Sequence, residues 1–166
     1  MIPIVTPSEM AAIDKAAPEP VEVLIDRAGA AVAWSVRRLL GGVYGRRIVV
    51  LAGPGNNGAD GRVAAARLRS WGARVLVTTP DARSLPGNAD LVIDAAYGTG
   101  LSRSYTPPTS PAPVLAVDIP SGVAGLTGEL VGEPFTAQRT VTFQALKPGL
   151  VLEPGATRCG FCLLYT

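Results

Sequence analysis

The sequence predicts a single α/β domain in which two N-terminal helices precede a mostly parallel β-sheet. The chain has 166 residues, which is the size of one domain and leaves too little for two. Hydrophobic residues make up 48% of the chain and charged residues 17%, so apolar side chains suffice for a folded core. Beyond Gly42, short apolar runs that do not alternate with polar residues are typical of strands buried on both faces of a parallel sheet.

Capping residues and hydrophobic periodicity predict the two helices. Thr6-Pro7-Ser8-Glu9 has the pattern of a capping box with Pro at the first helical position, and the helix that it starts runs to about Ala16. From Val21 onward, apolar residues recur at intervals of three and four, so a second helix extends to Leu40 and stops at Gly41-Gly42.

Short runs rich in β-branched residues predict five strands and a candidate sixth. Between the first two strands, Gly61–Trp71 carries a helical apolar stripe and forms the predicted crossover helix. The later connections, 79–90 and 102–113, are rich in proline, so neither holds a good helix and we expect one face of the sheet to be thinly covered. The predicted strands are Ile48–Ala52, Arg74–Thr78, Leu91–Ala95, Val114–Ile119 and Arg139–Phe143, with Phe161–Leu164 as the candidate sixth.

The composition excludes several classes of function. The chain contains no histidine, which rules out a Ser-His-Asp triad, a Cys-His dyad and a His-ligated zinc site. The net charge of +2 is too small to indicate nucleic-acid binding. The longest apolar run, Ala28–Val36, is too short to span a bilayer. Arginines flank it on both sides, which is not the pattern of a signal peptide, so we expect a cytoplasmic protein without a membrane segment.

The two cysteines, Cys159 and Cys162, have the spacing of a dithiol redox motif. Redox CxxC motifs normally open a helix, whose N-terminus lowers the thiol pKa, but only four residues follow Cys162. The alternative interpretation, two small apolar residues in a terminal strand, is therefore favoured.

A glycine-rich segment follows the first strand, and it has two interpretations. Gly53-x-Gly55-x-x-Gly58 matches the dinucleotide-binding fingerprint, with Asp81 beyond the next strand as a candidate ribose ligand. Glycines also serve any tight turn that binds no ligand. Three polar side chains, Asn56, Asn57 and Asp60, favour the binding interpretation, because a plain turn does not need them.

Polar side chains also follow the third and fourth strands, where the ligand crevice of a parallel sheet lies. Asp94 and Asp118 each end an apolar strand, and either one alone could simply cap a turn. Together with Asn57 and Ser121 they supply four oxygen donors, which resemble a cation site rather than a zinc or copper site. Two further residues stay open: Thr99 is a phosphate contact or a loop residue, and Lys147 is a phosphate counter-charge or, as favoured, a surface lysine.

Four segments, GPGNNGADG, DAAYGTGL, AVDIPSGV and TVTFQALKPGL, in this order, resemble the YjeF-type N-terminal domain, the NAD(P)H-hydrate epimerase family. The leading EMAAIDKAAPEPVEVLIDRAG resembles the N-terminal helices of that family. The resemblance implies a Rossmann-like three-layer α/β/α sandwich, here one shortened domain over residues 1–166 with no dehydratase domain. It implies an isomerase that interconverts the R and S hydrates of NADH and NADPH (NADHX and NADPHX) in nucleotide repair. It further implies a homodimer and, as functional partner, a dehydratase that depends on ADP or ATP.

The resemblance also implies roles for particular residues. Asp118 would face the altered nicotinamide ring and be the catalytic acid and base. Ala59 departs from the family, which usually has a glycine there, and a need for positive φ at this position would strain the loop. A potassium ion would be held by Asn57, Asp94 and Ser121. The remaining substrate contacts would be Asn56, Asn57, Gly58, Ala59, Asp60, Gly98, Thr99, Gly100, Leu101, Ser102, Arg103 and Ser104.

Two alternatives belong to other functional classes. The same fold serves in non-catalytic scaffold and binding domains, and the shortened connections favour that alternative, whereas the retained oxygen side chains favour the epimerase. An ordinary NAD-dependent dehydrogenase is the second alternative, but the chain leaves no room for a catalytic domain.

Overall fold

A six-stranded parallel sheet is the centre of the computed structural model, which describes residues 2–101 and 103–166. The spatial order of the strands is β2-β1-β3-β4-β5-β6, and each neighbouring pair is parallel. The predicted parallel sheet, including its candidate sixth strand, is therefore confirmed. The strands are β1 (Arg47–Ala52), β2 (Arg74–Thr78), β3 (Leu91–Ala95), β4 (Val114–Val117), β5 (Arg139–Phe143) and β6 (Phe161–Tyr165).

The predicted N-terminal helices are present with the expected signals at their ends. The Thr6 hydroxyl accepts a hydrogen bond from the Glu9 amide, and Glu9 Oε2 accepts one from the Thr6 amide at 2.7 Å. This capping box is confirmed. The second helix ends where Gly41 adopts a φ of +66°, a conformation that favours glycine. The helices are α1 (Pro7–Ala16), α2 (Val21–Leu39), α3 (Asn56–Ser70) and α4 (Gly155–Cys159), with a 3₁₀ turn at Pro148–Leu150.

The two faces of the sheet are covered differently. Helices α2 and α3 pack on one face, where Val32, Val36 and Leu68 join the sheet residues Val50 and Ile93 in one buried cluster. On the opposite face, α4 and the 3₁₀ turn lie near β5 and β6, whereas irregular segments cover β1, β3 and β4. The predicted α/β sandwich is confirmed, and residues 79–90 and 103–113 contain no helix, as expected. No helix within residues 2–101 and 103–166 has the length and apolar character needed to cross a membrane.

Two predicted boundaries are wrong by two residues or more, and both lie beside the polar loops. Helix α3 begins at Asn56 and not at Gly61, because close packing outweighs the low helix propensity of its glycines. A Cβ on Gly58 would overlap the Gly53 carbonyl oxygen, and one on Gly61 would lie 2.6 Å from Ala95 Cβ. Strand β4 ends at Val117 and not at Ile119, because Asp118 adopts a φ of +67°.

Candidate functional site

A cavity of about 950 Å³ lies at the carboxyl ends of the parallel strands. Helices α1 and α2 form one wall, to which Met10, Leu24 and Ile25 contribute apolar side chains. The first turn of α3, the loops after β3, β4 and β5, and the end of β6 form the rest of the wall. This second part of the lining contains polar groups, among them Asn56, Asn57, Asp60, Thr99, Asp118, Gln144 and Lys147.

Tight backbone packing brings the start of α3 against the loop after β3. The Gly53 amide donates to the Ala95 carbonyl oxygen at 3.0 Å, and a Cβ on Gly53 would overlap the Ala96 carbonyl. As a result, Asn57 Cγ lies 3.8 Å from the place that a Cβ on Gly98 would occupy, and Asp118 Oδ2 lies 3.7 Å from the same place. The first turn of α3 and the loops after β3 and β4 therefore meet at Gly98.

Within the part of the chain that the structure describes, the side-chain amide of Asn57 has no hydrogen-bond partner. Both Oδ1 and Nδ2 are buried, yet neither is paired with any group in residues 2–101 and 103–166. Leaving a buried polar atom unpaired costs about 1–3 kcal/mol, so native proteins rarely leave two on one side chain. Asn57 also lines the cavity, so its amide lies where a bound molecule could accept and donate the missing hydrogen bonds.

Asp94 is fully buried beneath the loop after β3 and is tied to Ser121. Its Oδ2 accepts from the Ser121 amide at 2.8 Å, and its Oδ1 accepts from the Ser121 hydroxyl at 2.6 Å. The Tyr97 amide donates to the same hydroxyl, so the ends of β3 and β4 are held together by one carboxylate. Burial raises the pKa of Asp94, and no Lys or Arg of the described chain forms an ion pair with it.

Asp118 is paired with a buried lysine. Lys147 Nζ donates to Asp118 Oδ1 at 2.5 Å, to Thr142 Oγ1 at 2.9 Å and to the Phe143 carbonyl oxygen at 3.1 Å. Lys147 is only 1% exposed, so the favoured prediction of a surface lysine is wrong. A strand-terminal aspartate and a lysine within the apolar segment ALKPGL were the sequence signals that could have predicted the pair.

Two more carboxylates lie on the cavity wall. Burial, with smaller contributions from the Asp118 and Asp14 charges, raises the pKa of Asp60 to about 8. Desolvation at the cavity wall also raises the pKa of Asp14, while the Lys147 charge opposes that effect. Asp14 was missed in the sequence, although its spacing of four residues from the buried Met10 places it on the inner face of α1.

The remaining predicted contact residues are divided between three places. Gly98, Thr99, Gly100, Leu101 and Arg103 line the cavity together with Asn56. Gly58 and Ala59 lie in the first turn of α3 behind this lining, and Ala59 does not adopt positive φ, so no strain arises there. Ser104 lies in a separate shallow hollow beside Asp81, and Ser102 lies outside the described residues.

Arg103 lies between the cavity and the shallow hollow. Its guanidinium donates to the Tyr97 hydroxyl at 2.7 Å and lies 5.3 Å from the centre of the Tyr97 ring. This contact gives the exposed arginine a defined position at the cavity mouth.

The cysteine pair lacks the features of a redox site. Cys159 is the last residue of α4, and its thiol donates to the Gly155 carbonyl oxygen at 3.1 Å. Burial raises the pKa of Cys159 to about 12 and also raises that of Cys162, so little thiolate is present at neutral pH. The structure therefore favours the apolar interpretation of these residues. Among the described residues, no group of three or more His, Cys, Asp or Glu side chains could hold a metal.

Comparison with known proteins assigns this Rossmann-like α/β domain to a family. The family model described as "YjeF-related protein N-terminus" matches residues 21–87 and 77–149, and the chain belongs to this family. A crystal structure of yeast ynu0 (YNL200c) superposes with a TM-score of 0.74 at 23% identity, covering 90% of this chain and 84% of that chain. The yeast structure thus has the same fold.

Two kinds of curated relative are similar in sequence. The NAD(P)H-hydrate epimerase of Achromobacter xylosoxidans is 34% identical over 172 residues, covering 82% of each chain. The bifunctional NAD(P)H-hydrate repair enzymes Nnr of Hyperthermus butylicus and Moorella thermoacetica are 37% and 36% identical, covering 79% and 95% of this chain. The chain spans only 32% and 39% of the length of these two bifunctional enzymes.

Proposed function

We propose that this domain is an isomerase that interconverts the R and S hydrates of NADH and NADPH. The observation that carries the proposal is the convergence on one cavity of Asp118, the unpaired Asn57 amide and the loop around Thr99. The cavity volume of about 950 Å³ suits a ligand of dinucleotide size. The names of the relatives, in particular the epimerase of similar length, support the same activity.

The chemistry needs an acid, a base and a negative charge near the ring. In the hydrate, a hydroxyl is bonded to the ring carbon next to nitrogen, whose lone pair can help expel it as water once it is protonated. Water then adds to the other face of the resulting ring cation and returns the proton, so atoms and charge balance. The Asp118 carboxylate can stabilise the cation from the cavity wall.

The proton has two candidate carriers in the cavity. Asp118 is the first, because its Oδ2 accepts no hydrogen bond from residues 2–101 and 103–166 and lies beside Gly98. Asp60 is the second, since burial raises its pKa to about 8 and so keeps a carboxylic acid available at neutral pH. Pairs of carboxyls with such different environments commonly divide the acid and base roles.

A potassium ion is part of the proposal, held by Asn57, Asp94 and Ser121. These residues fit the ion, because Asp94 is a buried carboxylate without a cationic partner in the described chain and the Asn57 amide oxygen is unpaired. One carboxylate with neutral oxygens suits a large monovalent cation better than a divalent one. When bound, the ion would supply positive charge that holds the loops after β1, β3 and β4 together.

The proposed biological setting includes a second enzyme. An epimerase contributes to repair when a dehydratase, which we expect to depend on ADP or ATP, removes only one of the two epimers. Homodimer formation, which rests on the family resemblance, and a cytoplasmic location, which was expected from the sequence, complete the proposal.

A coupled assay tests the proposed function. Pure R hydrate of NADH is supplied with a dehydratase that accepts only the S hydrate, and the return of NADH is followed by its absorbance. We expect R hydrate to be consumed at a rate proportional to the amount of this protein, in potassium-containing buffer. Consumption no faster than without the protein would refute the epimerase and favour the non-catalytic binding domain.

A further inference from the structure

Lys147 carries a buried positive charge that is fully hydrogen-bonded. An ammonium group has three donors, and here they reach Asp118 Oδ1, Thr142 Oγ1 and the Phe143 carbonyl oxygen. A charge buried to this degree is costly unless a counter-charge and hydrogen bonds compensate for it. Asp118 supplies the counter-charge, and it is the only ion-pair partner of Lys147 within the described residues.

The Asp118 carboxylate is held unequally by its neighbours. Its Oδ1 accepts from Lys147 and also from the Thr142 hydroxyl at 3.1 Å. Its Oδ2 accepts from no group in residues 2–101 and 103–166, and it lies next to Gly98 on the cavity wall. One oxygen is therefore anchored while the other is available to a bound molecule.

Local backbone geometry strengthens this anchoring. Asp118 adopts a φ of +67°, and its amide donates to the Val141 carbonyl oxygen at 2.7 Å. A non-glycine residue in the left-handed region is uncommon and persists where its surroundings determine the conformation. Thr142 and Lys147 belong to the end of β5 and the segment after it, so the neighbouring strand determines where the carboxylate points.

We infer that Lys147 is a positioning residue for the proposed reaction: with Thr142, it fixes one Asp118 oxygen so that the other faces the reacting ring. The inference rests on the proposed function. We expect Lys147 to act through Asp118, because each of its three donors already has an acceptor inside the protein and none is free to bind substrate. The turnover number should therefore depend on Lys147, whereas substrate binding should not.

Four variants test this inference: Lys147→Met, Asp118→Asn, the double variant, and Lys15→Met as matched control. Lys15, the other lysine of the chain, is exposed in the last turn of α1. Each variant is examined by circular dichroism at the assay temperature, and kcat and KM are measured in the coupled assay. We expect Lys147→Met to lower kcat by roughly 10- to 100-fold, the effect of misplacing a catalytic group. Its KM should stay within about twofold, and Lys15→Met should behave as wild type.

The double variant separates positioning from a general structural role. If Lys147 acts through Asp118, adding Lys147→Met to Asp118→Asn causes no further loss of kcat, because the two effects are not independent. A wild-type kcat in folded Lys147→Met, or an equal loss of kcat in both backgrounds, would overturn the inference. If Lys147→Met does not fold, Thr142→Val replaces it, and an unchanged kcat in that variant would overturn the inference equally.

The wild-type measurement distinguishes this inference from the function on which it rests. A folded wild-type chain without epimerase activity would refute the proposed function and the positioning role with it. An active wild-type chain whose Lys147→Met variant is equally active would refute the positioning role alone.

Discussion

Asp60 should make the stability of the protein depend on pH. The residue lies in α3 at the cavity wall, 8% exposed, and burial raises the pKa of its carboxyl from 3.8 to about 8. The folded state therefore binds the proton more tightly than the unfolded state does. It follows that the Asp60 contribution to stability is fully present below about pH 4 and is lost as pH rises towards pH 8.

The size of the effect follows from the shift of the pKa. Each pH unit between the unfolded and folded pKa values changes the free energy of unfolding by 1.36 kcal/mol. Between pH 5 and pH 8 this amounts to roughly 4 kcal/mol of lost stability. Asp60→Asn removes the ionisation while keeping the shape of the side chain, so this pH-dependent loss should disappear.

Urea unfolding of the wild type and of Asp60→Asn, followed by the fluorescence of Trp34 and Trp71, measures their free energies of unfolding at intervals from pH 5 to pH 8. We expect Asp60→Asn to become progressively more stable than the wild type as pH rises. Asp81→Asn is the control, because Asp81 is exposed and hydrogen bonding lowers its pKa, so its ionisation does not change in this range. If the free energies of unfolding of the wild type and of Asp60→Asn differ by the same amount at every pH from 5 to 8, the reasoning is refuted.

Three further changes should alter activity or stability. Asp118→Asn should lower kcat at least 100-fold in the coupled assay, since an amide carries no charge. Asparagine tolerates the φ of +67°, so the variant should fold, and a folded variant with the wild-type kcat would contradict the catalytic role of Asp118. Gly58→Ala should lower the free energy of unfolding, measured in urea, by about 1–3 kcal/mol, because the new Cβ would overlap the Gly53 carbonyl oxygen. A free energy of unfolding equal to that of the wild type would show that the loop adjusts freely. Potassium should raise the melting temperature above its value in lithium at equal ionic strength, and Asp94→Ala should remove that difference. Wild-type melting curves that are identical in potassium and in lithium would exclude the proposed ion site.

The sequence predicted most of the fold because the signals for its elements are local. The capping box at Thr6 fixed the start of α1, and the β-branched runs located all six strands to within two residues. The start of α3 was predicted wrongly, because Gly58 and Gly61 have low helix propensity and are needed for close packing against the Gly53 backbone and against Ala95, which the sequence does not show.

Several predicted site residues follow parallel strands, so the sequence could assign them to one edge of the sheet. Asp94 and Asp118 end neighbouring strands, so the carboxyl edge of one sheet brings them close. The burial of Lys147 was predicted wrongly, because it depends on packing between strands: two of its acceptors lie in β5, whereas the third, Asp118, follows β4. The sequence did not indicate that Asp14 lines the cavity, because α1 is far along the chain from the other motifs.

Direct interconversion of the two hydrates, without any dehydratase, tests the central claim. Pure R hydrate and pure S hydrate of NADH are incubated separately with the protein in ¹⁸O-labelled water and resolved by chromatography with mass detection. We predict that both reach the same R to S ratio far faster than in buffer, and that each newly formed epimer carries one ¹⁸O atom. With the Asp118→Asn variant, the two hydrates should interconvert at a rate close to that in buffer. Interconversion no faster with the wild-type protein than in buffer would contradict the account.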